Sequence, residues 1–81
     1  MQVRVLLFAS LRDDVGSRSL EIELPQGSSV QDLEDLLVRS YPRLARIRSA
    51  MLAAVNREYA TLEQVIPENA EVAFFPPVSG G

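Results

Sequence analysis

The chain has 81 residues, 47% of them hydrophobic, with a formal net charge of −3. That describes one small domain, which buries only roughly 60% of its unfolded surface, and it excludes a disordered chain. Cys and His are both absent, which rules out disulfides, thiolate nucleophiles, zinc sites and the commonest general base. The acidic balance argues against nucleic acid as a partner, because phosphate binding needs a concentrated basic face. No signal-type N-terminus and no apolar run of membrane-spanning length occurs, so the expected location is cytoplasmic, with no membrane partner. All eight basic residues are Arg. Apart from the terminal amine, no primary amine on this chain can accept an isopeptide bond. Chemistry is therefore expected to happen on the chain rather than by it.

Met1 to Phe8 reads as a strand, with Val3, Val5 and Leu7 on one side and Arg4, Leu6 and Phe8 on the other. Ser10 to Val15 fits a short helical turn stopped at Gly16. Leu20 to Leu24 alternates apolar and acidic residues, the pattern of a strand with one wet face. With the first strand it makes an antiparallel hairpin carrying a moderately long loop. Ser29 is positioned as an N-cap, with Asp32 completing a capping-box-like pair. From there Val30, Leu33, Leu36, Leu37 and Tyr41 recur at helical spacing, so one face of a helix over Val30–Tyr41 should cover the sheet. Pro42 ends it through the restriction on Tyr41.

Arg43 to Ser49 reads as a short solvated helical turn or loop rather than an anion site. Met51 to Val55 is apolar throughout and suits a buried strand, turned at Asn56 and Arg57, since Asn tolerates left-handed geometry. Thr61 to Ile66 is ambiguous, a one-turn helix being one reading. Pro67 to Ala70 is a further turn, and Glu71 to Phe75 the last strand. The order strand, strand, helix, strand, strand indicates an α+β ubiquitin-like β-grasp: a mixed sheet of four to five strands with one main helix on one face. Residues 1–75 form that domain, and residues 76–81 a flexible tail. Pro76 and Pro77 cannot easily continue a sheet. Val78 and Ser79 follow, and Gly80 and Gly81 leave a carboxylate on a stem with no side-chain bulk. An extended tail after Phe75 reaches roughly 20 Å, enough to enter another protein's active site.

Val5 to Ala9, then Ala54-Val55-Asn56, then Glu71 to Gly81 resemble the MoaD family, the small subunit of molybdopterin synthase. The resemblance spans nearly the whole chain, and the Phe74-Phe75-Pro76-Pro77-Val78 stem ahead of Gly80 and Gly81 is its specific part. One departure is Glu68-Asn69-Ala70, where the family usually has an Asp-Gly-Asp turn. Asn69 can still supply the positive φ such a turn wants. The resemblance implies a sulfur carrier with two partners, an adenylating activating enzyme (MoeB-like) and the synthase large subunit (MoaE-like). The activating enzyme, using ATP and magnesium, would adenylate the Gly81 carboxylate. Sulfur would then displace the adenylate, and the Gly81 thiocarboxylate would attack cyclic pyranopterin monophosphate inside the large subunit as a covalent nucleophile. Pro76, Pro77, Val78, Ser79 and Gly80 would thread the partners' channels, and no cofactor or metal would be bound by this chain itself.

Strand parity adds a docking face. If Val72 and Phe74 point to the core, then Phe75 faces outward, and Phe8 likewise turns away from Val5 and Leu7. Phe8 and Phe75, joined by Tyr59, would form an exposed aromatic anchor at the tail's base. The alternative, that one or both phenylalanines sit in the core, is open from sequence. Asp13 and Asp14 read as a solvated loop rather than a cation site, and Glu21 and Glu23 as the wet face of a strand. Arg39, Arg43, Arg46 and Arg48 read as a solvated face. Two further functional classes stay open: a carrier for another pathway (thiamine, thio-tRNA, cysteine) or a modifier conjugated through Gly81, and a β-grasp interaction module with an inert end.

Overall fold

The computed structural model describes residues 1–77. Strand β1 (Gln2–Leu7) leads into a short helix α1 (Ser10–Val15), then β2 (Ser19–Glu23) and the main helix α2 (Val30–Ser40). Two 3₁₀ segments, Pro42–Arg46 and Arg48–Ala50, connect α2 to β3 (Leu52–Val55), β4 (Glu58–Ala60) and β5 (Glu71–Phe75). The strands form one sheet in the order β2-β1-β5-β3-β4, with β1 and β5 parallel and the other pairs antiparallel. This is the mixed-sheet β-grasp expected from the element order, with the first and last long strands side by side at its centre.

Local chemistry places each element. At Gly16 the chain adopts φ 84°, and its N–H closes α1 onto the Arg12 carbonyl at 2.8 Å, a left-handed C-cap that Gly reaches without steric penalty. The capping box of α2 is complete. Asp32 N–H donates to Ser29 Oγ at 3.2 Å, and Ser29 N–H donates to Asp32 Oδ2 at 2.9 Å. Val30 and Gln31, the next amides a helix start leaves orphaned, donate to Gln64 and Leu62 carbonyls at 2.9 Å each. Thr61–Ile66 is thus a turn segment laid over the start of α2 rather than a helix. Its Leu62 and Gln64 carbonyls are committed to α2, and Val65 bridges to Ser29.

The core forms between α2 and one sheet face. Val30, Leu33 and Leu37 pack in one cluster with Val3, Val5, Leu7, Val55, Val72 and Phe74. Leu36 and Tyr41, expected on the same helix face, are only half-buried, and Glu34 takes a buried place instead. Leu44, in the first 3₁₀ segment, is fully buried and caps the end of this core. The short β4 was not legible as a strand. Asn56 and Arg57 both have positive φ, 49° and 71°, forming the two-residue hairpin turn whose twist matches paired strands. That turn folds Glu58–Ala60 back along β3. Asn69 also adopts positive φ, 59°, and its neighbour Glu71 donates its N–H to Asn56 Oδ1 at 3.0 Å.

Candidate docking site at the base of the tail

Alternation along β5 divides two adjacent phenylalanines. Phe74 is fully buried beneath α2, and Phe75 emerges on the helix-free face. Because β1 runs parallel to β5 with Leu7 opposite Phe74, the next residue on each strand, Phe8 and Phe75, meet on that face. Their rings stack at a centroid distance of 4.8 Å and 12° between planes. Tyr59 is drawn in by the β3–β4 hairpin, its ring 6.5 Å from Phe75 and tilted by 58°. Phe8 is 43% exposed and Tyr59 79%. A small domain leaves large apolar rings this open at few places, and contiguous ones mark contact surfaces.

Next to the rings lies a concavity of about 440 Å³. Ala54 and Ala73, paired across β3 and β5, carry too little side chain to fill it; Leu6 lines it too, and Arg57 and Glu71 border it. None of these five was singled out from sequence. The parity that turned Phe8 and Phe75 outward also assigns Leu6 and Ala73 to this face, but Ala54 and Arg57 enter it only through hairpin geometry. At the edge of the patch the hydrogen-bonded ladder ends. Pro76 is half-buried and Pro77 exposed, both outside any strand. The remaining residues named as the working end of the tail, Val78, Ser79, Gly80 and Gly81, lie outside the described residues.

Several of the other charged groups are engaged away from this patch. Asp14 accepts from Arg46 Nη2 at 3.1 Å, a structural contact, while Asp13 is exposed. Among the described residues no group of three or more acidic side chains converges in metal-binding geometry. Glu34, 2% exposed, accepts from Arg48 Nε at 2.9 Å, and Arg48 also binds Asp35. Burial pushes the Glu34 carboxyl above its ordinary value, with the Arg48 hydrogen bond and charge pulling the other way. Arg48 is thus a half-buried, bound side chain rather than part of a solvated face, while Arg46 stays exposed as expected and pairs with Asp14 from there. Glu21 and Glu23 lie on the wet face as expected, with Glu23 2.9 Å from the terminal ammonium. Among the described residues no helix is long and apolar enough to cross a membrane.

Comparisons with known proteins converge on one group. The family model described as ThiS family matches residues 5–81. The molybdopterin synthase sulfur carrier subunit of Arabidopsis thaliana is 38% identical over 81 residues, covering all of this chain and 84% of that protein. Among solved structures, small archaeal modifier protein 1 of Haloferax volcanii superposes with a TM-score of 0.87 at 31% identity, over the full length of both chains. A complex of subunits 1 and 2 of the molybdopterin-converting factor from Helicobacter pylori contains a chain matching at TM-score 0.71 and 20% identity, again over both full lengths; at that identity it speaks to the fold alone.

Proposed function

The chain belongs to the ThiS family, in company with the molybdopterin synthase sulfur carrier subunits, and from that premise we propose that it carries sulfur on Gly81 for molybdopterin synthesis. The observation that carries the reading is the stacked Phe8–Phe75 pair at the point where Pro76 leaves the sheet. A partner seated on these rings sits at the point where the chain leaves the sheet. A carboxylate is a poor electrophile, so it must first attack the α-phosphate of ATP, releasing pyrophosphate and forming an acyl-adenylate. Sulfide equivalents from a donor then displace AMP, leaving the Gly81 thiocarboxylate. ATP and magnesium belong to an activating enzyme of the MoeB type, and the pterin chemistry to a MoaE-like large subunit. The two prolines reduce the freedom lost when the tail is ordered in a channel.

The test is intact mass after incubation with an activating enzyme, ATP, magnesium and a sulfur donor, followed by assay with the large subunit and cyclic pyranopterin monophosphate. Replacement of one oxygen by sulfur, and dithiolene formation only with that product, is expected. An unchanged mass would leave a simple interaction module. The likeness to the archaeal modifier supports a second reading, conjugation to amines of other proteins. It is distinguished by a ladder of larger adducts in the same experiment.

A further inference from the structure

The aromatic hollow has a basic neighbour. A second concavity of about 300 Å³ lies on the β1–β2 flank, sharing Leu6 and Phe8 with the first and bordered by Arg4, Arg12 and Arg18. Arg4 has the carboxylates of Glu21 and Glu71 at its cross-strand positions. Arg12 and Arg18, like Arg39, Arg43 and Arg57, have no ion pair among the described residues, whereas Arg46 and Arg48 are each bound to carboxylates. Unpaired positive charge, that of Arg12 and Arg18, therefore borders the concavity lined by Phe8, in a chain of net charge −3. The backbone holds it there. Ala9 takes φ 53° and ψ −128°, and the Leu11 and Arg12 amides donate to the Phe8 and Ala9 carbonyls at 3.1 Å each, turning α1 sharply behind the aromatic ring.

Resting on the sulfur-carrier reading above, we propose that Arg12 and Arg18 receive a carboxylate-bearing ledge of the large subunit, continuous with the apolar surface that covers Phe8 and Phe75. Guanidinium forks match carboxylates in bidentate geometry, and their stems extend the apolar contact. Charges at the rim of an aromatic anchor act chiefly on the rate of encounter, and opposite charges raise it in a salt-dependent way. The arginines orient the carrier, and the rings hold it.

The experiment measures association and dissociation rates of the full-length chain with the large subunit at low and high salt, for the parent, R12E/R18E and F75A. The parent's association should slow steeply with salt. R12E/R18E should associate roughly tenfold more slowly at low salt, with a flatter salt slope and a smaller change in dissociation. Its melting temperature should match the parent's, since both side chains are exposed; if the double reversal does not fold, R12Q/R18Q is read instead, with a smaller loss in the same direction. Unchanged rates and slopes, with F75A still dissociating faster, would overturn the arginine proposal and leave the carrier reading standing. Faster association of R12E/R18E would also overturn it, because the facing surface would then be basic rather than acidic. No binding by the parent would remove both readings.

Discussion

Replacing Arg48 by Ala should destabilise the domain in a way that depends strongly on pH. Glu34 is 2% exposed, and Arg48 Nε at 2.9 Å is its charge partner. In the parent, burial already holds its pKa above the ordinary 4.5. The stability this group contributes is therefore complete below that value and is lost as pH rises through the folded pKa. Removing Arg48 deletes the interactions that restrain the rise and widens the window toward neutrality. A buried carboxylate without a partner escapes by taking up a proton, which sets a ceiling. At pH 7, about 2.5 units above the ordinary value, neutralisation at about 1.36 kcal/mol per unit costs at most about 3.4 kcal/mol. At pH 5 the same ceiling is about 0.7 kcal/mol. The half-exposed Asp35 contact adds only a few tenths of a kcal/mol.

The expected loss in Arg48→Ala is thus about 2–3 kcal/mol at pH 7, shrinking below about 1 kcal/mol at pH 5. Urea unfolding followed by far-ultraviolet circular dichroism at both pH values measures it. Glu34→Gln in the same background should erase the pH dependence, because an amide does not titrate. Equal losses at the two pH values, or a pH dependence that survives Glu34→Gln, would refute the assignment of Glu34 as the group responsible.

Three further outcomes are expected. Phe75→Ala should weaken binding to the large subunit by about 1.5–3 kcal/mol in calorimetry while shifting the melting temperature by a few degrees at most, whereas Phe74→Ala, emptying the fully buried ring site, should lose about 3–5 kcal/mol of fold stability. A reversed ranking would make Phe75 the core residue. Ala9→Gly should raise thermal stability by about 1 kcal/mol, since a Cβ at φ 53°, ψ −128° is strained and Gly is not; a lower melting temperature would show the turn to be unstrained. Ser29→Ala, deleting the acceptor for Asp32 N–H, should cost about 1 kcal/mol, read from the urea midpoint at constant slope.

Local rules carried most of the fold because its elements are locally specified. The alternation in Val3, Val5 and Leu7, the Ser29–Asp32 capping box, Gly16 and the two prolines after Phe75 each depend on neighbours within a few residues. They placed α1, α2, β1, β2 and β5 and the end of the sheet from sequence, and the order of those elements implied the β-grasp. Parity along β5 and β1 turned Phe8 and Phe75 outward. It could not say that the two rings touch, because that depends on the parallel register setting Leu7 against Phe74, a contact between opposite ends of the chain. The same holds for β4, whose three residues have no pattern of their own and pair only because Asn56 and Arg57 turn left-handed. Arg48 read as a member of a solvated face, and Glu34 drew no reading of its own. Only the tertiary fold buries Glu34 and brings Arg48, from the second 3₁₀ segment, onto it and Asp35. By itself the sequence determined which residues prefer which backbone and which side of a strand they take, since those preferences are short-ranged. The tertiary structure alone decided how the exposed rings stack and which charges border them, because that is set by strand order and register across the whole sheet.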